Sequence, residues 1–227
     1  MLTITSRCWL CLSPLSLPIH GICSYCVGNL PALPLCCPRC GLPSSHAKLP
    51  CGRCLQHPPP WQTLVAVSHY EPPLSQLINT FKFQGKRELA YPLARLMLLA
   101  WLHAKRQRPL LSPDWLLAVP LAKGRHWRRG FNQSELLAKN LAHWLNCHFE
   151  PNALSRVHAT PPQRTLSAAE RRKNLRGAFK CAVSLSGLNI VLIDDVVTTA
   201  STVTEISKIL LDQGAQSVQI WCLCRTL

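Results

Sequence analysis

Acidic residues are scarce in this chain. Ten Asp and Glu stand against 25 Lys and Arg in 227 residues, a formal net charge of +15. The first sixty residues contain no acid at all. That excludes a carboxylate-built site for calcium or magnesium there, because those hard cations require oxygen ligands. No G-x-x-x-x-G-K-S/T loop occurs anywhere, so a P-loop nucleotide hydrolase is excluded as well. Long apolar runs are also missing. The stretch 89–103 is interrupted by Pro92 and Arg95, whereas a spanning helix needs about 20 consecutive apolar residues. The N-terminus lacks the form of a secretory signal: Arg7 is its one early charge, and cysteines and prolines break the apolar region. A cytoplasmic protein without a transmembrane segment is expected.

Hydrophobic residues make up 48% of the chain, enough for a substantial core. The length suits one moderate domain with a small appendage, or two small domains. The basic balance points to a polyanionic partner: nucleic acid, a phosphorylated metabolite or a membrane face. Surface solubility is the plainer explanation.

Cysteine, by contrast, is abundant, with 13 in all. Eight fall in pairs that each enclose two residues: Cys8/Cys11, Cys23/Cys26, Cys37/Cys40 and Cys51/Cys54. Such a knuckle brings two thiolates to one ion, and two knuckles complete a tetrahedral site. The pairs therefore supply ligands for two zinc ions, the metal that soft thiolates select. Close pairs make poor long-range staples, so zinc is expected over a disulfide framework or a redox site. The segment is also rich in Pro, Gly and Ser and would not fold without such support. Sequential pairing gives a tandem zinc ribbon; crossed pairing is the alternative. Cys36 is a spare, and Cys147, Cys181, Cys222 and Cys224 read as small core residues. The module either contacts nucleic acid or protein, helped by Arg7, Arg39, Lys48 and Arg53, or caps the second domain.

The expected division is a double zinc-ribbon-like module over 1–57, a Pro-rich linker over 58–61 and an α/β domain over 62–227. Three successive prolines after His57 cannot join a helix or a central strand. Beyond them, 64–70 alternates like a strand, and Leu74, Leu77, Ile78 and Phe81 place a helix over 73–82. A longer helix follows over 88–106. Lys82, Lys86 and Arg87 flank the turn between them, either solvated or in contact with phosphate. Strands are expected at 115–119, 189–193 and 218–224. A basic loop spans 120–132. Asn132 and Glu135 make a capping-box-like helix start, and a last helix is expected over 203–213 with Gly214 at its stop. This alternation predicts a parallel sheet with helices on both faces, and ligands in such sheets bind outside the carboxyl ends of the strands.

The sharpest signal is Ile190-Val191-Leu192-Ile193-Asp194-Asp195-Val196-Val197-Thr198-Thr199-Ala200-Ser201-Thr202. A buried strand delivers two carboxylates at its carboxyl end, then a hydroxyl-rich loop, then a helix. Carboxylates accept hydrogen bonds from ribose hydroxyls, and N–H groups at a helix N-terminus suit a phosphate. Two plainer readings stay open: Thr202 with Glu205 matches a capping box, and the run could be an ordinary buried strand with a polar end.

The run resembles the phosphoribosyl pyrophosphate motif of type I phosphoribosyltransferases. The wider chain resembles the ComF/GntX family, competence-type proteins of DNA uptake or utilisation. The resemblance is carried by the cysteine pairs, Phe81-Lys82-Phe83-Gln84-Gly85, Val119-Pro120, Arg128-Arg129-Gly130-Phe131-Asn132-Gln133, and Gln163 to Phe179. It implies a type I phosphoribosyltransferase-like parallel sheet with flanking helices behind the zinc module. It implies that Asp194 and Asp195 contact ribose hydroxyls and meet magnesium through the ligand. Thr198, Thr199, Ala200, Ser201 and Thr202 would hold the 5-phosphate. Arg129 and Gly130 would hold pyrophosphate, and Arg171, Arg172 and Asn174 would belong to a hood over the site. Ala200 stands where the family usually has Gly; a positive φ there would strain it.

Two basic clusters fit this independently: Lys123, Arg125, Arg128 and Arg129 in one loop, and Arg164, Arg171, Arg172, Lys173, Arg176 and Lys180 in another. Together they would focus a positive field on a phosphate loop. Trp127 and His126 could stack a base, although Trp127 alone reads more simply as a packing residue. Two functions follow. One is handling of single-stranded DNA during uptake or use, with the DNA-uptake machinery as partner. The other is a phosphoribosyltransferase acting on phosphoribosyl pyrophosphate or a related sugar phosphate.

Overall fold

The computed structural model describes residues 6–31, 33–121, 130–157, 175 and 177–226. At the N-terminus two similar units follow one another. Each opens with an antiparallel bridge around a knuckle, Arg7 with Pro14 and then Cys36 with Pro43. Each closes with a short helix, α1 (Ser24–Gly28) and α2 (Gly52–Gln56), whose N-cap residues are Cys23 and Cys51. All 13 cysteines are free thiols, which removes the disulfide alternative.

A five-stranded sheet follows. In chain order the elements are β1 (Thr63–His69), α3 (Leu74–Phe83), α4 (Ala90–Gln107), β2 (Trp115–Ala118), α5 (Gln133–Leu145) and β3 (His148–Phe149). Next come β4 (Leu154–Arg156), β5 (Phe179–Cys181), β6 (Asn189–Val197), α6 (Ser201–Asp212) and β7 (Ser217–Arg225). The strand order is β1-β7-β6-β2-β3, and every pairing in it is parallel. β4 and β5 form a separate antiparallel pair. The expected α/β architecture is therefore present.

Alternation along the central strands divides the core in two, because successive side chains leave opposite faces. Val191, Ile193, Trp221 and Leu223 pack with Phe81, Leu93, Met97, Leu137 and Leu141 of α3, α4 and α5. Ile190, Leu192, Ile220 and Cys222 pack with Val203, Ile206 and Leu210 of α6. Every residue of β7 is buried, as expected for a parallel strand covered on both sides. Leu141 is fully buried, so Leu141→Ala should cost about 2–5 kcal/mol.

Three local expectations change. β6 does not end at Ile193 but runs on through Val197, because Asp194, Val196 and Val197 pair with Cys222, Cys224 and Arg225 of β7. The N-cap of α6 is Ala200, not Thr202; Glu205 instead accepts from the Gly177 N–H at 3.2 Å, so no capping box forms there. At α5 Asn132 does cap, accepting from Ser134 N–H at 3.1 Å. Glu135, however, accepts from the Asn132 side-chain amide at 3.0 Å. That amide also donates to the Val119 carbonyl at 3.1 Å, tying the start of α5 to the end of β2.

The cysteine units are packed onto the sheet domain. Trp61 donates to the Arg39 carbonyl at 2.7 Å, and Arg39 donates to the Trp61 and Pro59 carbonyls at 3.2 and 3.3 Å. Arg39 is thereby engaged in holding the proline stretch. Leu64 N–H and the Thr63 hydroxyl both reach the Pro38 carbonyl, at 3.1 and 2.8 Å. Cys8 and Ile22 of the first unit join the core under α4. Among the described residues no helix is long and apolar enough to cross a membrane.

Candidate functional site

Among the described residues two constellations could carry chemistry. The first is the pair of thiol tetrads. The Sγ atoms of Cys8, Cys11, Cys23 and Cys26 lie within 4.8 Å of one another, as do those of Cys37, Cys40, Cys51 and Cys54. Pairing is therefore sequential, and Cys36 belongs to neither group. Cys11 and Cys23 sulfurs are 3.7 Å apart, and Cys40 and Cys51 sulfurs 3.8 Å. A tetrahedral ion with Zn–S bonds of about 2.3 Å would space its sulfurs about 3.8 Å apart, so the donor set fits zinc. Backbone N–H groups aim at the sulfurs: Leu10 and Cys23 at Cys8, both 3.4 Å, and Cys51 at Cys37, 3.2 Å.

The thiols respond to this crowding. Burial opposes ionisation of Cys37, but N–H groups of Cys51, Cys40 and Arg39 outweigh it and bring the thiol down to about 7. Cys11 falls to about 6 through the side chain and backbone of Ser13. Burial and the neighbouring Cys40 push Cys54 up, and burial with Cys11 does the same to Cys26. Four adjacent thiols cannot all ionise alone; a doubly charged ion removes that conflict. Each tetrad could hold one zinc ion. The remaining cysteines behave as packing residues: Cys222 and Cys224 are buried, Cys147 and Cys181 half-buried. Burial pushes the Cys224 thiol up to about 12.

The second constellation is the β6–α6 connection at the carboxyl edge of the sheet. Thr198 and Thr199 are exposed, while Ala200, Ser201 and Thr202 are half-buried. Thr199 and Ser201 hydroxyls are hydrogen-bonded at 2.9 Å. Ala200 adopts φ 61°, ψ 7°, the left-handed region that favours glycine. Its carbonyl accepts both the Thr204 N–H at 2.9 Å and the Thr204 hydroxyl at 2.8 Å. The first N–H groups of α6 are thereby left facing the loop, as at any helix start.

Because β6 continues past them, the two acids lie on opposite faces of the sheet. Asp195 points toward α3, where Lys82 Nζ meets its carboxylate at 2.7 Å with both side chains little exposed, 14% and 12%. Lys82 is thus an ion-pair partner rather than a solvated turn residue. Asp194 is half-buried on the α6 face, and its Oδ1 accepts from the Asp195 N–H at 2.9 Å. Across the edge, Arg87 donates to the Gly130 carbonyl at 3.0 Å and lies 5.0 Å over the Phe131 ring. Gly130 has φ 72°, a conformation that suits glycine. The turn after α3 therefore reaches the loop in which pyrophosphate contact was expected. Arg129, the rest of the basic run 122–129, His126 and Trp127 included, and the segment 158–174 with Arg164, Arg171, Arg172, Lys173 and Asn174 lie outside the described residues, as does Arg176.

Sequence reasoning missed Arg225. It ends β7 and is 5% exposed. Its Nε donates to the Cys40 carbonyl at 3.0 Å, and its Nη1 to the carbonyls of Val197 at 3.1 Å, Thr226 at 2.9 Å and Thr198. The signal was present: a cation closing a largely apolar strand is out of place unless it has partners. A cavity of about 540 Å³ lies elsewhere, between the link joining the two cysteine units, β1 and α4, and the β6–α6 loop does not line it.

No protein-family model matches the chain. A DNA utilization protein YhgH of Salmonella typhimurium is 53% identical over 100% of both chains. Competence protein F of Haemophilus influenzae is 41% identical over 96% of both. Among solved structures, adenine phosphoribosyltransferase from Saccharomyces cerevisiae aligns over 60% of this chain and 69% of its own, at 16% identity and a TM-score of 0.38. With relatives this similar along the full length, the chain belongs to the ComF/GntX family of competence and DNA-utilisation proteins.

Proposed function

We propose that the chain takes part in uptake or utilisation of DNA and binds a ribose 5-phosphate group at the β6–α6 loop. One observation carries the binding half. At the carboxyl edge of a parallel sheet, a left-handed turn at Ala200 sets a hydroxyl pair against the N-terminus of a 12-residue helix. That is where backbone N–H groups and the helix field favour an anion. The names of the relatives, a DNA utilization protein and a competence protein, support the biological half.

In this reading the N–H groups and hydroxyls of Thr198, Thr199, Ser201 and Thr202 hold the phosphate. Asp194 and Asp195, one on each face of the strand, take ribose hydroxyls. Lys82, 2.7 Å from Asp195, fixes the direction of that carboxylate. Carboxylates suit a hard cation, so magnesium carried in by a diphosphate ligand would meet the same two acids through the ligand. Gly130 and Arg129 would face the diphosphate. Single-stranded DNA would be held by the net charge of +15 acting on its phosphates.

The test is a side-by-side titration of the full, zinc-loaded chain with magnesium phosphoribosyl pyrophosphate and with a short DNA single strand. Expected are saturable binding of the first, at least about tenfold weaker in Asp194→Asn with Asp195→Asn, and DNA binding that falls steeply between 50 and 200 mM salt, as counterion release requires. No phosphoribosyl pyrophosphate binding removes the sugar-phosphate site. DNA affinity that is absent or independent of salt removes the nucleic-acid role. Release of pyrophosphate with a nucleobase present would instead favour the phosphoribosyltransferase reading, which the loop's full set of hydroxyls also supports.

A further inference from the structure

We propose that Arg225 is the positioning residue of the β6–α6 loop, and that it ties the loop's shape to metal occupancy of the second tetrad. The ligand it would serve rests on the phosphate reading above; the coupling does not.

Arg225 is an unusual cation. It is 5% exposed, and among the described residues the ion pairs are Lys82–Asp195 and His148–Glu150, neither of which includes it. A buried guanidinium without a paired carboxylate persists only where carbonyls take up its donors, as Cys40, Val197, Thr198 and Thr226 do for Nε and Nη1. Here the fork is shared between two regions far apart in sequence. Nε binds the Cys40 carbonyl at 3.0 Å, on the knuckle of the second tetrad. Nη1 faces Val197 and Thr198, the residues that lead into the left-handed turn at Ala200. One rigid plane thus fixes the knuckle and the loop together. A lysine could keep the charge but not the fork.

The knuckle side depends on the metal. The Cys40 carbonyl is held by a turn in which Gly41 N–H donates to the Cys37 carbonyl at 2.9 Å and Cys37 N–H to the Leu42 carbonyl at 2.8 Å. Cys37 and Cys40 are both zinc-ligand candidates at the ends of that turn. Gly41 has φ 71°, and a Cβ there would lie 3.5 Å from Arg225 Cγ and 2.7 Å from Leu64 Cδ2, so the turn sits directly on the arginine. When the ion leaves, four thiols lose the charge that gathers them, the turn relaxes and the Cys40 carbonyl withdraws. The guanidinium then loses one wall of its socket, and with it the fixed direction of the Thr198 carbonyl, whereas the Val197 carbonyl keeps its bond from the Thr226 N–H at 3.0 Å. The N–H groups that follow are what a phosphate would meet. Among the described residues the first tetrad has no such link. Its contacts run to α4, through Arg95 to the Ile22 carbonyl at 3.5 Å and Gly21 against Pro92.

Amide hydrogen exchange over 197–203 in the full chain tests the coupling without any ligand. Arg225→Lys, with both zinc ions retained, should exchange about tenfold faster there than wild type, as should Cys51→Ser with one zinc lost. Cys23→Ser, which loses the other zinc, should exchange there within about twofold of wild type. In the same preparations, magnesium phosphoribosyl pyrophosphate should bind about tenfold more weakly to Arg225→Lys than to wild type. Wild-type exchange over 197–203 in Arg225→Lys overturns the proposal, even where Cys51→Ser fails to fold. Equal acceleration in Cys23→Ser overturns it too, because general loosening would then suffice. If wild type binds no phosphoribosyl pyrophosphate, the phosphate reading fails, while the exchange data still decide the coupling.

Discussion

The two cysteine units share a local design and differ in what they touch. Each has a bridge, a knuckle and a short helix capped by a cysteine, and each gathers four sulfurs in the same way. The first presses a glycine against Pro92 of α4 and contributes Cys8 and Ile22 to the core there. The second grips the start of β1 through Pro38 and Arg39, and reaches Arg225 beneath the candidate phosphate loop. The same thiol tetrad, able to hold zinc, therefore packs against a helix in one place and stands next to the candidate phosphate loop in the other.

The comparison can be broken most severely by removing metal. A chelator that strips both ions should unfold both units, since domains this small fold on metal binding. Loss of two zinc equivalents with the cysteine units' amide protection intact would contradict the tetrad assignment. Next in size, Arg39→Ala should cost about 1–3 kcal/mol, because it leaves the Trp61 and Pro59 carbonyls without their donor. Arg95→Ala, which gives up one bond of 3.5 Å, should cost under about 1 kcal/mol; thermal melts of the pair give the ranking. Gly21→Ala and Gly41→Ala should both destabilise by at least about 1 kcal/mol, since each has positive φ and each new Cβ meets a side chain at 2.7 Å. Only Gly41→Ala should alter the amide signals of 197–203. The smallest effect is expected at Ala200, where relieving φ 61° by Ala200→Gly should stabilise the chain by about 0.5–1 kcal/mol, read as a higher melting temperature.

Much of this was legible because it is local. Cysteine pairs two residues apart announce a knuckle whatever surrounds them. The apolar runs at 189–193 and 218–224, separated by a helical pattern, announce parallel strands. Strain at Ala200 could be raised from the family resemblance, which places Gly there, and the left-handed turn is there. What escaped is non-local. β6 extends through Asp194 and Asp195 only because β7 offers Cys222 to Arg225 as partners, and nothing in the run itself says so. Asp195 finds Lys82 on another helix. Arg225 finds Cys40 from the far end of the chain. Glu205, three residues after Thr202, matches a capping box in sequence, yet it is drawn to Gly177 because the helix begins earlier, at Ser201.

The most direct test of the sugar-phosphate site is to record the amide resonances of Thr199 to Val203 while magnesium phosphoribosyl pyrophosphate is added to the zinc-loaded chain. Large, saturable shifts centred on those amides, and abolished by Thr199→Ala with Ser201→Ala, are the predicted result. Shifts that are absent, or that centre on the cavity beside β1 and α4, would contradict it.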